Sequence, residues 1–159
     1  MTIYDELRRF GMNRFACVNV GHEGEARFFR VVCSGELAEV CFGVYAFVVG
    51  DCVVRVGKAE QKLKSRMASY TNSVTRSLNY RNLERPGTPY WEADAWWTYL
   101  SRCGTGVVYG KAGSVRNLGF GEMNIFEAEE RLLIMRYAPL LHSENEVRRA
   151  INWFPLADA

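Results

Sequence analysis

The chain has 159 residues, of which 48% are hydrophobic and 24% are charged, and this composition is typical of a globular protein rather than a disordered or fibrous one. The length suits one domain with a buried core, no apolar run approaches the ~20 residues of a membrane span, and no signal peptide is recognisable, so we expect a cytoplasmic protein. The five cysteines form no C-x-x-C pair and the chain has only two histidines, which argues against a structural zinc site.

The net charge of +2 is unevenly distributed along the chain. Residues 55–85 carry eight basic side chains against two acidic ones, a net charge of +6, so the rest of the chain is acidic overall. Such a block is either a solvated charged face or a surface that contacts a polyanion. Charge alone does not separate these two readings.

The first half of the chain predicts a short helix and two hairpins. Thr2 can cap a helix that ends at Gly11, and residues 15–20 and 26–33 have the apolar character of paired strands. Residues 44–49 and 52–56 are rich in β-branched and aromatic side chains, and the Gly-Asp step between them suits a tight turn.

A basic amphipathic helix is predicted directly after the second hairpin. Ala59, Leu63, Met67 and Tyr70 recur with the spacing of one helical face. Arg66 falls in the middle of that face, and an arginine among inward-pointing side chains costs several kcal/mol unless it has a partner. Arg66 is therefore a candidate functional residue.

The second half of the chain predicts a loop, two helices and a strand. Residues 72–89 are polar and end in Pro and Gly, which predicts a long loop with at most a helical turn near residues 74–80. Residues 91–102 fit a helix, residues 106–111 fit a short strand, and residues 124–137 fit a helix that ends before a proline.

The last helix carries one carboxylate in its apolar stripe. Glu130 lies with the inward-facing residues, whereas Glu127 can pair with Arg131 and Glu129 points to the flank, so both are expected to be surface charges. Two interpretations of Arg66 and Glu130 follow. They form a structural ion pair, or they line a cleft in which the carboxylate binds a divalent metal ion and the arginine binds phosphate.

Three sequence blocks in the right order resemble those of the GIY-YIG nuclease superfamily, in particular the N-terminal nuclease domain of the UvrC excision-repair proteins. The likeness covers residues 42–142 and consists of Gly43-Val44-Tyr45, Arg55-Val56-Gly57-Lys58-Ala59 with Arg66 and Tyr70, and Glu130 followed by Leu133-Ile134 and Pro139-Leu140-Leu141. His142 stands where an asparagine is common in the superfamily. The tripeptides alone are weak signals, but together with Arg66 and Glu130 they are specific.

The resemblance implies a small α/β domain of the α+β type, with a central three-stranded antiparallel sheet flanked by helices. The candidate strands are residues 43–49, 52–57 and 106–111. Residues 1–41 would form an N-terminal helix and hairpin extension packed on the nuclease core of residues 42–142, and residues 143–159 a C-terminal tail, within a single domain overall.

The resemblance also implies an endonuclease site. Tyr45 would help activate the attacking water, Arg66 would bind the scissile phosphate, and Glu130 would anchor one Mg²⁺ or Mn²⁺ ion. A metal ion and an arginine together can stabilise the developing charge and the leaving group. The full catalytic set carried over or inferred for this pocket is Tyr45, Arg55, Lys58, Arg66, Tyr70 and Glu130.

Arg55 departs from the superfamily pattern because it replaces the second signature tyrosine. An arginine stays protonated at physiological pH, so it cannot accept a proton in place of a tyrosine. It can bind phosphate, orient water or lower the pKa of Tyr45 by proximity. Some restriction endonucleases of the superfamily also carry a basic residue there, so the replacement is compatible with activity.

DNA is the partner that the resemblance implies, and a homodimer would let so short a chain act on two strands. The expected contacts are Lys62 and Lys64 on the basic helix and Arg76, Arg81 and Arg85 in the polar loop. Two other hypotheses remain: a non-catalytic DNA-binding module with the same fold, which Arg55 favours, and a structural domain in which Arg66 pairs with Glu130.

Overall fold

The structure, a computed structural model, describes residues 1–142, so the predicted tail of residues 143–159 lies outside the described residues. Over residues 1–142 the fold is α+β, with four α-helices and a five-stranded antiparallel sheet. In chain order the elements are α1 (Ile3–Arg9), β1 (Asn13–Glu23), β2 (Ala26–Cys33), β3 (Gly43–Val49), β4 (Cys52–Ala59), α2 (Leu63–Asn79), α3 (Tyr90–Cys103), β5 (Gly106–Ala112), β6 (Val115–Asn117), β7 (Glu122–Asn124) and α4 (Phe126–Tyr137). Two short 3₁₀ helices, Glu36–Glu39 and Leu140–His142, complete the list.

The main sheet has the strand order β2-β1-β5-β3-β4, so it has five strands rather than the three expected. The expected strands β3, β4 and β5 are neighbours, but β1 also pairs with β5, with Cys17 opposite Val107. The N-terminal hairpin thereby supplies partners for the backbone groups on the second edge of β5, which would otherwise be open.

Two apolar layers cover the two faces of the sheet. All seven residues of β3 are buried, and their side chains alternate between the faces. Tyr45 and Phe47 belong to the cluster formed with α2 and α3, and Val44 and Ala46 belong to the cluster formed with α1 and α4. The sheet therefore lies between two helical layers, and β3 and β4 carry residues to both.

Helix α2 differs from the prediction at both ends. It begins at Leu63, because Ala59 is the last residue of β4, and it continues through residues 72–79, where a polar loop was expected. Its polar side chains, one turn apart on one face, bind the backbone of edge strand β2. The bonds join Val31 N to Thr71 Oγ1 at 3.0 Å, Phe29 N to Thr75 Oγ1 at 3.0 Å and Arg27 N to Asn79 Oδ1 at 2.9 Å.

A small hairpin of β6 and β7, which the sequence did not predict, connects β5 to α4. Within residues 1–142, no helix combines the length and the apolar character needed to cross a membrane.

Candidate active site

A cleft of about 450 Å³ lies where the last part of β4 meets α2 and α4. Five of the six predicted catalytic side chains line it, namely Tyr45, Arg55, Lys58, Arg66 and Glu130. The sixth, Tyr70, is buried behind Tyr45, and the two hydroxyl oxygens are 2.8 Å apart. The fold therefore brings residues separated by up to 85 positions in the sequence to one place.

Tyr45 can reach the cleft because the residue opposite it is a glycine. Tyr45 and Gly57 are direct partners in the β3–β4 ladder. A Cβ atom added at Gly57 would overlap the Tyr45 phenol, so only a glycine lets the ring lie across β4. The spacing between the two tripeptides thus has a packing reason.

Four side chains form a continuous hydrogen-bonded chain along the wall of the cleft. Arg66 Nε donates to Tyr45 Oη at 3.1 Å, Tyr45 and Tyr70 share one hydrogen bond, and Arg55 Nε donates to Tyr70 Oη at 3.3 Å. Each tyrosine hydroxyl therefore accepts from one arginine. Tyr45 has no exposed surface, whereas Arg66 is exposed although Leu63 and Met67 beside it are buried.

The phenol of Tyr45 is neutral at ordinary pH. Burial and the neighbouring Tyr70 raise the pKa of Tyr45 well above its usual value near 10, although Arg66 acts in the opposite direction. A phenol in this state donates and accepts hydrogen bonds but does not remove a proton from water.

Arg55 is held by a carboxylate that the sequence reading did not single out. Arg55 Nη1 lies 2.6 Å from Glu92 Oε1 on α3 and 3.3 Å from the carbonyl oxygen of Leu141. Glu92 is 6% exposed; its burial raises the pKa of its carboxyl, and the attraction of Arg55 opposes that rise. Glu92 shares its helix face with the buried Trp96 and Tyr99. It is therefore a charged residue within an apolar helical face, which is the pattern that identified Glu130.

His142 closes the end of the cleft against β4. Its Nε2 atom lies 3.0 Å from the carbonyl oxygen and 3.3 Å from the amide nitrogen of Val56. Burial and the charge of Arg55 lower the pKa of His142, so the ring is neutral at neutral pH. The histidine therefore fixes the 3₁₀ helix to the strand that carries Arg55 and Lys58.

Glu130 is the carboxylate that faces the cleft. It is half-buried, and burial raises the pKa of its carboxyl while the charge of Lys58 opposes the rise. Among residues 1–142 no hydrogen bond or ion pair joins Glu130 to Arg66, so the structural ion pair considered from the sequence does not occur.

The side chains that line the cleft suit a metal ion that is bound partly by the protein and partly by the substrate. They do not form a site in which the protein supplies all the ligands. The described part of the chain has no group of three or more histidine, cysteine, aspartate or glutamate side chains arranged to hold a metal ion. Mg²⁺ is often bound by one or two carboxylates together with phosphate oxygens and water. Glu130 fits the role of such a single carboxylate.

The two neighbours of Glu130 on α4 differ from expectation. Glu129, expected on the surface, is 4% exposed and accepts hydrogen bonds from Ser114 N at 2.7 Å and from Lys111 Nζ. Glu127 lies 3.5 Å from Lys58 Nζ rather than pairing with Arg131. Glu129 is buried because Lys111, near the end of β5, points at the first turn of α4 and requires a buried partner.

The five predicted DNA contacts do not form one group. Lys62 and Lys64 both pair with Glu39, at 2.9 and 2.6 Å, and Arg81 pairs with Asp94. Arg76 and Arg85 are exposed and form no ion pair among residues 1–142. Arg76 lies on α2 about 15 Å along the helix axis from Arg66, so it is far from the cleft.

The five-stranded sheet, with a polar cleft at the edge formed by β4, defines a fold that occurs among endonucleases. Over 87% of this chain and 97% of the other, it is similar to a mutant of bacteriophage T4 EndoII, with a TM-score of 0.60 and 14% identity. Over 86% of this chain and 79% of the other, it is similar to the restriction endonuclease HPY188I in complex with product DNA, with a TM-score of 0.51 and 11% identity. No protein-family model matches the chain, and no curated protein does. The chain thus shares its fold with these two endonucleases.

Proposed function

We propose that the protein is a DNA endonuclease of the GIY-YIG type that hydrolyses phosphodiester bonds with Mg²⁺ or Mn²⁺, in restriction or repair. The observation that carries this proposal is the single cleft in which Tyr45 from β3, Arg66 from α2 and Glu130 from α4 meet. The fold that the chain shares with two endonucleases supports it, one of them a restriction enzyme in complex with product DNA.

Arg66 is the proposed phosphate-binding residue. It donates to Tyr45 through Nε, and its terminal nitrogens remain to bind two oxygens of the scissile phosphate. Lys58 adds a second positive charge to the same cleft. Both positive charges would stabilise the negative charge that develops on the phosphate during hydrolysis.

Tyr45 is proposed to orient the attacking water, which requires the cleft to open locally, because the Tyr45 side chain is fully buried in this structure. Because its phenol is neutral, it holds the water by hydrogen bonds rather than removing its proton. Arg55 acts on Tyr45 through Tyr70, since it donates to the Tyr70 hydroxyl, which is then free to donate to Tyr45. In this way a residue that cannot accept a proton still supports the site.

Glu130 is the proposed metal ligand, together with a phosphate oxygen of the DNA. A divalent ion bound there would stabilise the leaving oxygen as a Lewis acid. The carboxylate must be ionised to bind the ion, and its raised pKa means that this requirement fails at a higher pH than for an ordinary glutamate.

Cleavage of supercoiled plasmid tests the proposal. We expect the purified protein to nick or linearise the plasmid with Mg²⁺ or Mn²⁺, EDTA to stop the reaction, and Glu130→Gln to abolish cleavage while most DNA affinity remains. Glu25→Gln, an exposed change on the N-terminal hairpin, is the matched control. Cleavage by Glu130→Gln at the wild-type rate would contradict the metal assignment. Linear product without a nicked intermediate would support the predicted homodimer.

A second candidate function is a DNA-binding module without catalysis. The complete burial of Tyr45 and the arginine at position 55 favour it, because neither side chain offers a ready proton acceptor. This alternative predicts DNA affinity that falls with salt and no cleavage with either metal. The same plasmid assay separates the two functions.

A further inference from the structure

The β6–β7 hairpin carries the most exposed large apolar side chain among the described residues. Phe120, at its tip, has a relative exposure of 105%, and Leu118 beside it is 59% exposed. Fully burying a phenylalanine side chain contributes about 1.5–3 kcal/mol, which this protein forgoes. With Val115 at 56% and Met123 at 57%, four exposed apolar side chains are grouped on this one hairpin, and such a grouping marks a surface that meets a partner.

The tip is a closed turn that holds Phe120 outward. Leu118 N donates to the carbonyl oxygen of Gly121 at 3.0 Å, and Gly119 N donates to Asn117 Oδ1 at 2.9 Å. Gly119 and Gly121, on either side of Phe120, have φ values of 90° and 151°, which side chains rarely allow. The two glycines therefore permit a turn that projects the aromatic ring away from the protein.

The base of the hairpin is attached to the rim of the cleft. Gly113 N donates to the carbonyl oxygen of Phe42 at 2.9 Å, and the Phe42 amide donates to the carbonyl oxygen of Glu60, a residue that lines the cleft. Phe42 also packs on Phe126, with ring centroids 5.7 Å apart. Glu130 lies about one helical turn beyond Phe126. A DNA strand held in the cleft would therefore pass close to the hairpin.

We propose that this hairpin enters a groove of duplex DNA beside the cut site and that Phe120, with Leu118, wedges against a base step. This inference rests on the proposed DNA-binding function and adds a contact outside the cleft. Apolar side chains that insert in this way partly unstack the bases and kink the duplex. Arg116, exposed on β6 and in no ion pair among residues 1–142, can bind a flanking phosphate.

The size of the tip argues for DNA rather than a second copy of this chain. A phenylalanine side chain buries at most about 150–250 Å². A stable protein interface needs about 800 Å² on each partner. Val115 and Met123 are also exposed but lie on opposite faces of the two-stranded hairpin, so no one face adds both of them to Phe120 and Leu118. The apolar surface that one side offers is too little for a dimer contact, but a single side chain is enough to wedge a base step.

A topology assay tests the wedge without DNA cleavage. Relaxed closed plasmid is incubated with the Glu130→Gln protein and a metal-independent topoisomerase I in EDTA, and the linking number is read after the protein is removed. We expect bound protein to shift the distribution of topoisomers. Introducing Phe120→Ala into the Glu130→Gln protein should remove most of that shift. It should also weaken binding to a mixed-sequence duplex by about tenfold, the scale of one base–aromatic contact.

The control variant is Met135→Ala, which removes an apolar side chain that is 80% exposed on α4. It should leave both the topoisomer shift and the affinity unchanged. If Phe120→Ala shifts topoisomers as well as Met135→Ala does, the wedge is overturned while the proposed endonuclease stands. If the Glu130→Gln protein does not bind plasmid, both proposals fall. If Phe120→Ala changes the oligomeric state in sedimentation, the occupant is a second copy and the wedge is wrong.

Discussion

At the scale of single residues, the closest fit in the candidate site is between the Tyr45 ring and Gly57. The ring occupies the space that any larger side chain at position 57 would need. Tyr45 Oη in turn holds Arg66 Nε at 3.1 Å. The position of the arginine therefore depends on a glycine that carries no chemistry of its own.

Gly57→Ala should remove activity more than stability. The added methyl group must displace the phenol, which costs about 1–3 kcal/mol of unfolding free energy, and it should lower plasmid cleavage by about 100-fold because the site is misaligned. Plasmid cleavage and thermal unfolding measure the two effects.

Gly21→Ala is the matched control for Gly57→Ala. Gly21 also lies opposite an aromatic residue, Phe28, in an antiparallel ladder, and its Cβ would meet that ring, but on the N-terminal hairpin. Gly21→Ala should lower the free energy of unfolding by no more than Gly57→Ala does, and it should leave plasmid cleavage unchanged. Wild-type cleavage by Gly57→Ala would show that the position of Tyr45 is unimportant.

The residues of the candidate site were predictable to different degrees. Arg66 and Glu130 could be identified because each interrupts an apolar helical face, and Tyr45 because it belongs to a motif. Glu92 interrupts a face in the same way but was missed among aromatic residues. Glu129 could not be identified, since its burial depends on Lys111, which approaches from a strand distant in sequence.

At the scale of secondary-structure elements, a buried ion pair fixes α4 to the end of β5. Glu129 accepts from Lys111 and from both the amide and the hydroxyl of Ser114. Burial opposes ionisation of Glu129, but these hydrogen bonds outweigh it and lower the pKa of the carboxyl below 4.5. The contact sets the first turn of the helix that carries Glu130.

Glu129→Ala should destabilise the protein by about 3–5 kcal/mol, because it leaves the largely buried charge of Lys111 without its carboxylate partner. Denaturant unfolding measures the change. Glu127→Ala, on the exposed side of the same turn, is the control and should cost at most about 1 kcal/mol. The contribution of Glu129 is present at neutral pH and lost as the pH falls through its lowered pKa, so the two variants should differ least in acid.

A second measurement separates the ion pair from a general packing effect. The double replacement Lys111→Met with Glu129→Leu should recover much of the stability, since it removes both charges. Equal stabilities of Glu129→Ala and Glu127→Ala would show that the buried pair does not hold the helix.

Among the elements, the sequence predicts local periodicity well and sheet pairing poorly. The β1–β2 and β3–β4 hairpins, α1 and α4 follow from residue patterns within single segments. The second half of α2 does not, because Thr71, Thr75 and Asn79 are weak helix formers when considered alone. Their role becomes visible only once β2 is known to be the edge strand that they bind.

At the scale of the whole molecule, the basic block of residues 55–85 is partly neutralised by carboxylates from elsewhere in the chain. Glu39 pairs with both Lys62 and Lys64, and the two lysines lower the pKa of its carboxyl to about 2. The net charge of +6 read from this segment therefore overstates the field available to DNA. Such pairs at the surface contribute little to stability, so Glu39 can be replaced without unfolding the protein.

Glu39→Gln should strengthen DNA binding by releasing two lysines. We expect the slope of log affinity against log salt to steepen by up to about one unit for each lysine that gains a phosphate contact. Fluorescence anisotropy of a labelled duplex at several salt concentrations measures this slope. Glu36→Gln, exposed in the same 3₁₀ helix, is the control and should leave the slope unchanged. Equal slopes for the two variants would place these lysines outside the DNA contact.

The position of β5 in the sheet has a consequence for how the nascent chain folds. Both hairpins, β1 with β2 and β3 with β4, are complete by residue 59, yet the strand that joins them spans Gly106–Ala112. Until that strand leaves the ribosome, β1 and β3 each present an open edge that can pair with another chain. Folding of the sheet must therefore wait for a late, long-range strand insertion, which is intrinsically slow. A chain cut short before Gly106 would keep both edges open and would be prone to aggregate.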